Sequence, residues 1–120
     1  MRFAVCCSDA DELRRIGSFI GKYAAGIHRY AEIDEFRTEE ALWSAFEPGK
    51  YRGAVVGYGD VKGFLCARRL REEDSGCRVI LLDDTERYAI RGLRIHLSGF
   101  LLRPFEDERL RVALGSLFTG

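Results

Sequence analysis

The run Arg52-Gly53-Ala54-Val55-Val56-Gly57-Tyr58-Gly59 limits what this chain can fold into more than any other stretch. From Gly53 to Gly57 it carries no charge and is β-branched at its centre, as expected of a strand covered on both faces. Shorter runs of the same kind stand at Phe3–Cys6, Val79–Leu82 and Gly99–Leu102, each followed by apolar residues at helical spacing. Doubly covered strands separated by helices belong to a parallel sheet with helices on either side. In such open sheets ligands gather beyond the carboxyl ends of the strands, so chemistry is expected at the end of the central one. The residue there is Gly57, which has no side chain.

At 120 residues, 47% hydrophobic and 32% charged, the chain has the size and composition of one globular domain spanning 1–120. Its 19 Lys and Arg balance its 19 Asp and Glu, so no net field draws it to nucleic acid or to a membrane surface. The opening Met1-Arg2-Phe3-Ala4-Val5 is too short for a secretion signal, and no apolar run reaches membrane-spanning length. A soluble, cytoplasmic protein is expected. The four cysteines are Cys6, Cys7, Cys66 and Cys77. Cys6 and Cys7 would point to opposite faces of a strand, no CxxC occurs, and His28 and His96 lie apart from them, so no metal site is expected. The cysteines read as small buried hydrophobes in a reducing compartment, with a redox role for Cys7 as the alternative.

The intervening segments supply the helices. Asp9 and Glu12 read as a capping-box variant at the start of a helix over Ala10–Ala24, with Leu13, Ile16, Ile20 and Tyr23 inward and Gly26 ending it. His28–Asp34 alternates, with Ala31 and Ile33 on one face, and reads as a half-exposed edge strand. Thr38 caps a second helix, whose Glu39 and Glu40 suit its dipole and whose Leu42, Trp43 and Phe46 supply core, until Pro48-Gly49 closes it. A third helix over Asp60–Glu72 presents Phe64, Leu65, Ala67 and Leu70 inward and Arg68, Arg69 and Arg71 to solvent. After the turn at Ser75-Gly76 comes a strand over Arg78–Leu82, then a fourth helix over Glu86–Arg94 with Tyr88, Ile90 and Leu93 as its apolar positions. Arg103-Pro104 ends the fifth strand, and Glu106–Phe118 forms the last helix with Leu110, Val112, Ala113, Leu114 and Leu117 inside. Five strands alternating with five helices through short connections make a doubly wound α/β sheet.

Three segments go further: Met1-Arg2-Phe3-Ala4-Val5-Cys6, Glu86-Arg87-Tyr88-Ala89-Ile90-Arg91-Gly92-Leu93, and Ile95-His96-Leu97-Ser98-Gly99-Phe100-Leu101-Leu102-Arg103-Pro104-Phe105. In residue type and spacing the chain resembles the receiver domains of two-component response regulators, and more narrowly those that precede LytTR-type DNA-binding domains. The resemblance implies a CheY-like, flavodoxin-like (βα)5 fold with strand order 2-1-3-4-5. It also implies the family's chemistry, phosphoryl transfer from a histidine kinase to an aspartate at the end of the third strand. That chemistry needs an acidic pair to hold Mg²⁺, a lysine against the phosphoryl oxygens and a hydroxyl after the fourth strand.

Carried over position by position, the resemblance places Gly57 at the phosphoacceptor, Cys7 and Ser8 at the acidic pair, Asp83 at the hydroxyl and Arg103 at the lysine. Phe100 takes the place of the aromatic that changes rotamer between states, and Gly59 lies in the same pocket, in the loop Tyr58–Gly63. Gly57 and Gly59 resemble a phosphate-cradling loop only faintly, since no basic or helix-start signature follows. The implied reading is a receiver degenerate at its phosphorylation site: no catalytic residue, no enzyme, no cofactor and a lost Mg²⁺ site. Sliding the register by one brings Val56 or Tyr58 to the acceptor position; the nearest carboxylate, Asp60, lies three residues on. Two alternatives therefore stay open, a relocated phosphoacceptor at Asp60 or Asp83, and a small-anion sensor lined by Cys7, Ser8, Gly57, Asp83 and Arg103.

Asp83 and Arg103 would end adjacent strands, and two readings hold for them: an ion pair filling the vacant phosphate pocket, or two solvated charges. Asp83-Asp84 reads as helix capping around Asp84 and Thr85 rather than as a cation site, and His96 as a packing residue. On the face of the fourth helix, fifth strand and fifth helix, Arg87, Arg91 and Arg94 stand against Glu106, Asp107 and Glu108. In receivers this face binds a protein partner or a second copy; opposed charges suit a homodimer across a two-fold axis, and solvated helix faces are the alternative reading. No basic reading helix is present, so no direct contact with nucleic acid is expected, nor any with membrane, and a DNA-binding output domain would lie outside this chain.

Overall fold

A computed structural model describes Met1–Thr119. Among these residues strands and helices alternate as β1 (Arg2–Cys7), α1 (Ala10–Gly26), β2 (Glu32–Phe36), α2 (Glu39–Ala45), β3 (Gly53–Gly57), α3 (Asp60–Glu73), β4 (Arg78–Asp83), α4 (Ala89–Arg94), β5 (Gly99–Leu102) and α5 (Asp107–Gly115). The five strands form one parallel sheet in the order β2-β1-β3-β4-β5, with β3 at its centre. This is the flavodoxin-like order expected from the sequence.

The period-2 alternation of the strands divides the core into two layers. Ala4, Cys6, Ala54, Val56, Val79 and Leu81 pack with Leu42, Phe64, Ala67 and Leu70 on the side covered by α2 and α3. Phe3, Val5, Cys7, Val55, Ile80, Leu82 and Leu101 face the other way, onto α1 and α5. Cys6 and Cys7 thus lie in different layers, and all four cysteines are free and buried. Gly53 lets the chain end approach the sheet, because a Cβ there would stand 2.9 Å from Leu117 Cδ2 and 3.1 Å from Arg78 O. No helix among the described residues is long and apolar enough to cross a membrane.

Several local expectations are corrected. The edge strand is Glu32–Phe36 rather than His28–Asp34. His28 adopts φ +59°, and Arg29 N–H donates to Ala24 O at 2.7 Å, so these residues turn the chain out of α1 instead of extending it. Leu65 and Val112, expected inside, are 42% and 70% exposed. Leu65 sits between buried Phe64 and Cys66, and Val112 lies on the side of its helix away from buried Leu110 and Leu114, so the inward stripes are narrower than the apolar spacing suggests. Leu117 is buried, but in the turn beyond α5. Of the apolar positions on the fourth helix only Tyr88 is buried, stacked on Phe64 at 5.0 Å, while Ile90 and Leu93 are exposed. Arg71 is no solvated charge: its guanidinium donates to the carbonyls of Ser75, Cys77 and Ile95. His96, at φ +60°, is an exposed turn residue between α4 and β5. Thr38 caps α2 as expected, Oγ1 accepting from Ala41 N–H at 3.2 Å.

Candidate functional site

The carboxyl ends of β1, β3, β4 and β5 converge on Arg103, the residue after β5. Its backbone N–H donates to Asp83 O at 2.8 Å, which holds it beside the end of β4. Its side chain follows Leu101 onto the α1–α5 side of the sheet. There Nε donates to Glu12 Oε2 at 2.8 Å and Nη2 to Glu12 Oε1 at 2.7 Å. Nη2 also donates to Gly57 O at 2.6 Å, and Nη1 reaches Asp84 Oδ1 at 3.4 Å. The fork of a guanidinium matches a carboxylate in this two-bond geometry, which a lysine ammonium does not reproduce. The Glu12 and Arg103 side chains are 15% and 21% exposed. Hydrogen bonding to Glu12 raises the Arg103 pKa still further above its ordinary value, against the lowering effect of burial.

Gly57 makes this arrangement possible. A Cβ on it would lie 2.8 Å from Arg103 Nη2, closer than real Cβ contacts come, and 3.0 Å from Cys7 Sγ and Leu82 Cδ2, tighter than most of them. Where the sequence resemblance places an acceptor carboxylate, the structure places a guanidinium. Neither reading of Asp83 and Arg103 describes them: no ion pair joins the two, and neither is a solvated charge, since Asp83 is buried and Arg103 pairs with Glu12. Asp83 shares the face of Val79 and Leu81, and Arg103 that of Leu101, so their side chains leave the sheet on opposite sides.

Asp83 is 2% exposed. Its Oδ1 accepts the N–H of Asp84 at 2.7 Å and of Asp60 at 3.2 Å, and its Oδ2 is buried with no hydrogen-bond partner. One carboxylate thus takes up backbone donors from the loops after both β3 and β4. Left-handed backbone at Gly59 (φ +86°) and Asp60 (φ +52°) accompanies the turn into α3. The Asp60 side chain is exposed, 3.6 Å from Arg87 Nη1, and with Asp83, Asp84, Thr85 and Arg87 it lines a surface hollow of about 560 Å³. The capping expected of Asp84 and Thr85 is corrected: Thr85 Oγ1 accepts from Arg87 N–H at 3.4 Å within a turn, and α4 starts later, at Ala89.

The donor set does not fit Mg²⁺, which requires hard oxygen ligands. Cys7 offers a soft thiol, pushed far above its usual pKa by burial first and the Glu12 carboxylate second, so it stays protonated. That state is also the unreactive one for a cysteine. Ser8 is exposed and its carbonyl accepts from Arg37 Nε at 3.0 Å. Both oxygens of Glu12 are engaged by Arg103. Among the described residues no group of three or more His, Cys, Asp and Glu has the geometry to hold a metal ion.

Glu12 and Arg15, one turn apart on α1, are the site residues that sequence reasoning passed over. In the sequence Glu12 reads as the second half of a capping box; in the structure only Asp9 caps, accepting from Asp11 N–H at 3.3 Å. Arg15 Nη2 donates to Phe105 O at 2.9 Å and Asp107 Oδ1 at 2.8 Å, and its guanidinium lies 4.5 Å from the centre of the Phe105 ring. Their spacing of three on a helix beginning at the sheet's carboxyl edge was the available signal.

Phe100 is half-buried against the α2–α3 layer, in the cluster that holds Leu81 and Tyr88. On the face of α4, β5 and α5, Arg87, Arg91 and Arg94 make no ion pair with Glu106, Asp107 or Glu108 among the described residues. Arg87 faces Asp60, Arg91 lies 5.7 Å from the Tyr88 ring, Asp107 pairs with Arg15 and Glu108 with Arg111. Arg94 and Glu106 are exposed.

No family model matches the sequence, and no curated protein matches it. Solved structures do. The non-phosphorylated HemR receiver domain from Leptospira biflexa superposes with a TM-score of 0.83 at 13% identity, over 99% of this chain and 94% of that one. The response regulatory domain of mrkE from Klebsiella pneumoniae gives 0.80 at 13% identity, over 98% and 95%. The full response regulator DrrB of Thermotoga maritima, an OmpR/PhoB homolog, gives 0.74 at 19% identity over 92% of this chain, which spans only 49% of that protein. The order of the sheet, the helices on its two faces and these superpositions establish that the chain has the CheY-like fold of response-regulator receiver domains.

Proposed function

We propose that this chain is a receiver-type regulatory domain that no longer takes phosphate at the usual position and signals through protein–protein contacts. The observation that carries the reading is the Arg103 guanidinium, seated 2.8 Å from where a Gly57 Cβ would stand and doubly bonded to Glu12. The groups that would receive a phosphoryl oxygen, the basic side chain after β5 and the loop amides after β3 and β4, are already satisfied by Glu12 and Asp83. In this reading the basic side chain and the loop amides are occupied from within the chain, and the site acts without a cofactor. Output runs through the face of α4, β5 and α5, where exposed Ile90, Leu93, Leu102 and Val112 stand among Arg91, Arg94 and Glu106. In this reading the domain works in the cytoplasm, contacts neither DNA nor membrane itself, and controls transcription through an output domain of the LytTR type.

Incubation with acetyl phosphate and Mg²⁺ followed by intact-mass measurement tests it. No adduct is expected. A stoichiometric phosphoryl adduct, mapped to Asp60 or Asp83, would instead establish a working receiver with a relocated acceptor. The anion-sensor alternative is disfavoured because the charge of Arg103 is already matched by Glu12 and Asp84.

A further inference from the structure

The two edges of the sheet are built differently. β2 carries Glu32, Asp34 and Glu35 among its five residues, and Arg2 is tied to Glu32 and Asp34 across the β1–β2 pair. Charge along an edge strand is how sheets block unwanted pairing. β5, Gly99-Phe100-Leu101-Leu102, carries none. Arg103 N–H bonds to Asp83 O in the register that pairs Leu102 with Asp83, and because backbone groups alternate along a strand, Leu101 turns its N–H and C=O to β4 while Phe100 and Leu102 turn theirs to the open side. A groove of about 970 Å³ runs along that edge, lined by every residue from Ser98 to Leu102 and walled by α5. Lining by consecutive strand residues, which point to both faces, means that the groove follows the backbone edge rather than one face.

We infer that this groove accepts an extended segment of another protein as a sixth strand beside β5, apolar at alternate positions and basic between them. Unpaired main-chain donors and acceptors call for an extended main chain as occupant. Exposed Leu102 and Val112 offer it apolar contact. Glu86, Glu106 and Glu108 stand at the groove against Arg109, and among the described residues Glu108 alone of these acids has an ion-pair partner, Arg111. A basic segment answers that charge, whereas a second β5 would bring more acid to it. The inference rests on the protein-contact reading above and names the class of partner.

The test is titration of the whole isotope-labelled chain with the peptide acetyl-(Lys-Val)3-amide, followed by amide NMR. Shifts are expected to be largest at Phe100 and Leu102, with affinity falling roughly tenfold or more when alternate peptide nitrogens are methylated. Weaker binding is also expected after Glu86→Lys with Glu106→Lys, two exposed positions whose change leaves the core intact. Absence of shifts along β5 at millimolar peptide, equal binding of the N-methylated peptide, or equal binding of acetyl-(Glu-Val)3-amide would overturn the inference. So would concentration-dependent β5 shifts without peptide, which would put a second copy in the groove. A phosphoryl adduct in the separate mass experiment defeats the degenerate-receiver reading without touching this one.

Discussion

Nη2 of Arg103 donates to the carbonyl oxygen of Gly57 at 2.6 Å and stands 2.8 Å from the point where a Gly57 side chain would begin. A side chain at 57 and the guanidinium in its present seat contend for the same space, so one must shift to admit the other.

Restoring an acceptor therefore damages the fold before it restores chemistry. Gly57→Ala is expected to destabilise by about 1–3 kcal/mol, the usual cost of forcing atoms into a filled site. Gly57→Asp is expected to cost at least as much and to gain no phosphoryl adduct, since no Mg²⁺ ligand set accompanies it. Combining Gly57→Asp with Arg103→Lys should recover part of the loss by withdrawing the fork. Urea unfolding and intact-mass measurement read both effects; a fully stable Gly57→Asp protein would show that the guanidinium moves aside at no cost.

Double-mutant cycles separate the two faces of the site. Glu12 and Arg103 share two charge-assisted bonds at low exposure, so Glu12→Gln or Arg103→Met alone is expected to cost about 1–3 kcal/mol, with coupling above ~0.5 kcal/mol. Asp83→Asn with Arg103→Met should be additive within about 0.5 kcal/mol, because the side chains lie on opposite sides of the sheet. Strong coupling in the second cycle and none in the first would contradict the contacts described here.

Alkaline pH should weaken the fold through its buried thiols. Burial pushes Cys66 and Cys77 up from 9.0 to about 12. A raised folded-state pKa gives stability that is complete below the unfolded value and lost as pH rises toward the folded one. The urea midpoint is thus expected to be flat near neutrality and to fall between about pH 9 and 12. Cys66→Ala with Cys77→Ala should make that fall shallower; an unchanged slope would mean that the thiols do not carry it.

Much of this was legible in the residues. Gly53–Gly57 announced the central strand because only a doubly covered strand tolerates so uniform an apolar run, and Arg103-Pro104 marked the end of β5. The expectation of a lost acceptor at Gly57 followed from the family resemblance, and the strand order, which the sheet bears out, came with it. Leu65 and Val112 misled because apolar spacing does not say how wide a face the neighbouring elements cover.

The sequence by itself determined which groups the pocket lacks, since a missing carboxylate at 57 and a thiol at 7 are facts of composition at known strand ends. Only the tertiary structure decided what fills it. Asp83 and Arg103 are opposite charges at neighbouring strand ends, yet strand parity sends one toward α3 and the other toward α1. The partner Arg103 finds, Glu12, lies 91 positions away in the chain. Local pattern fixes the face on which a side chain emerges, while its partner is set by how α1 lies across the sheet, a packing of distant elements that no local spacing records.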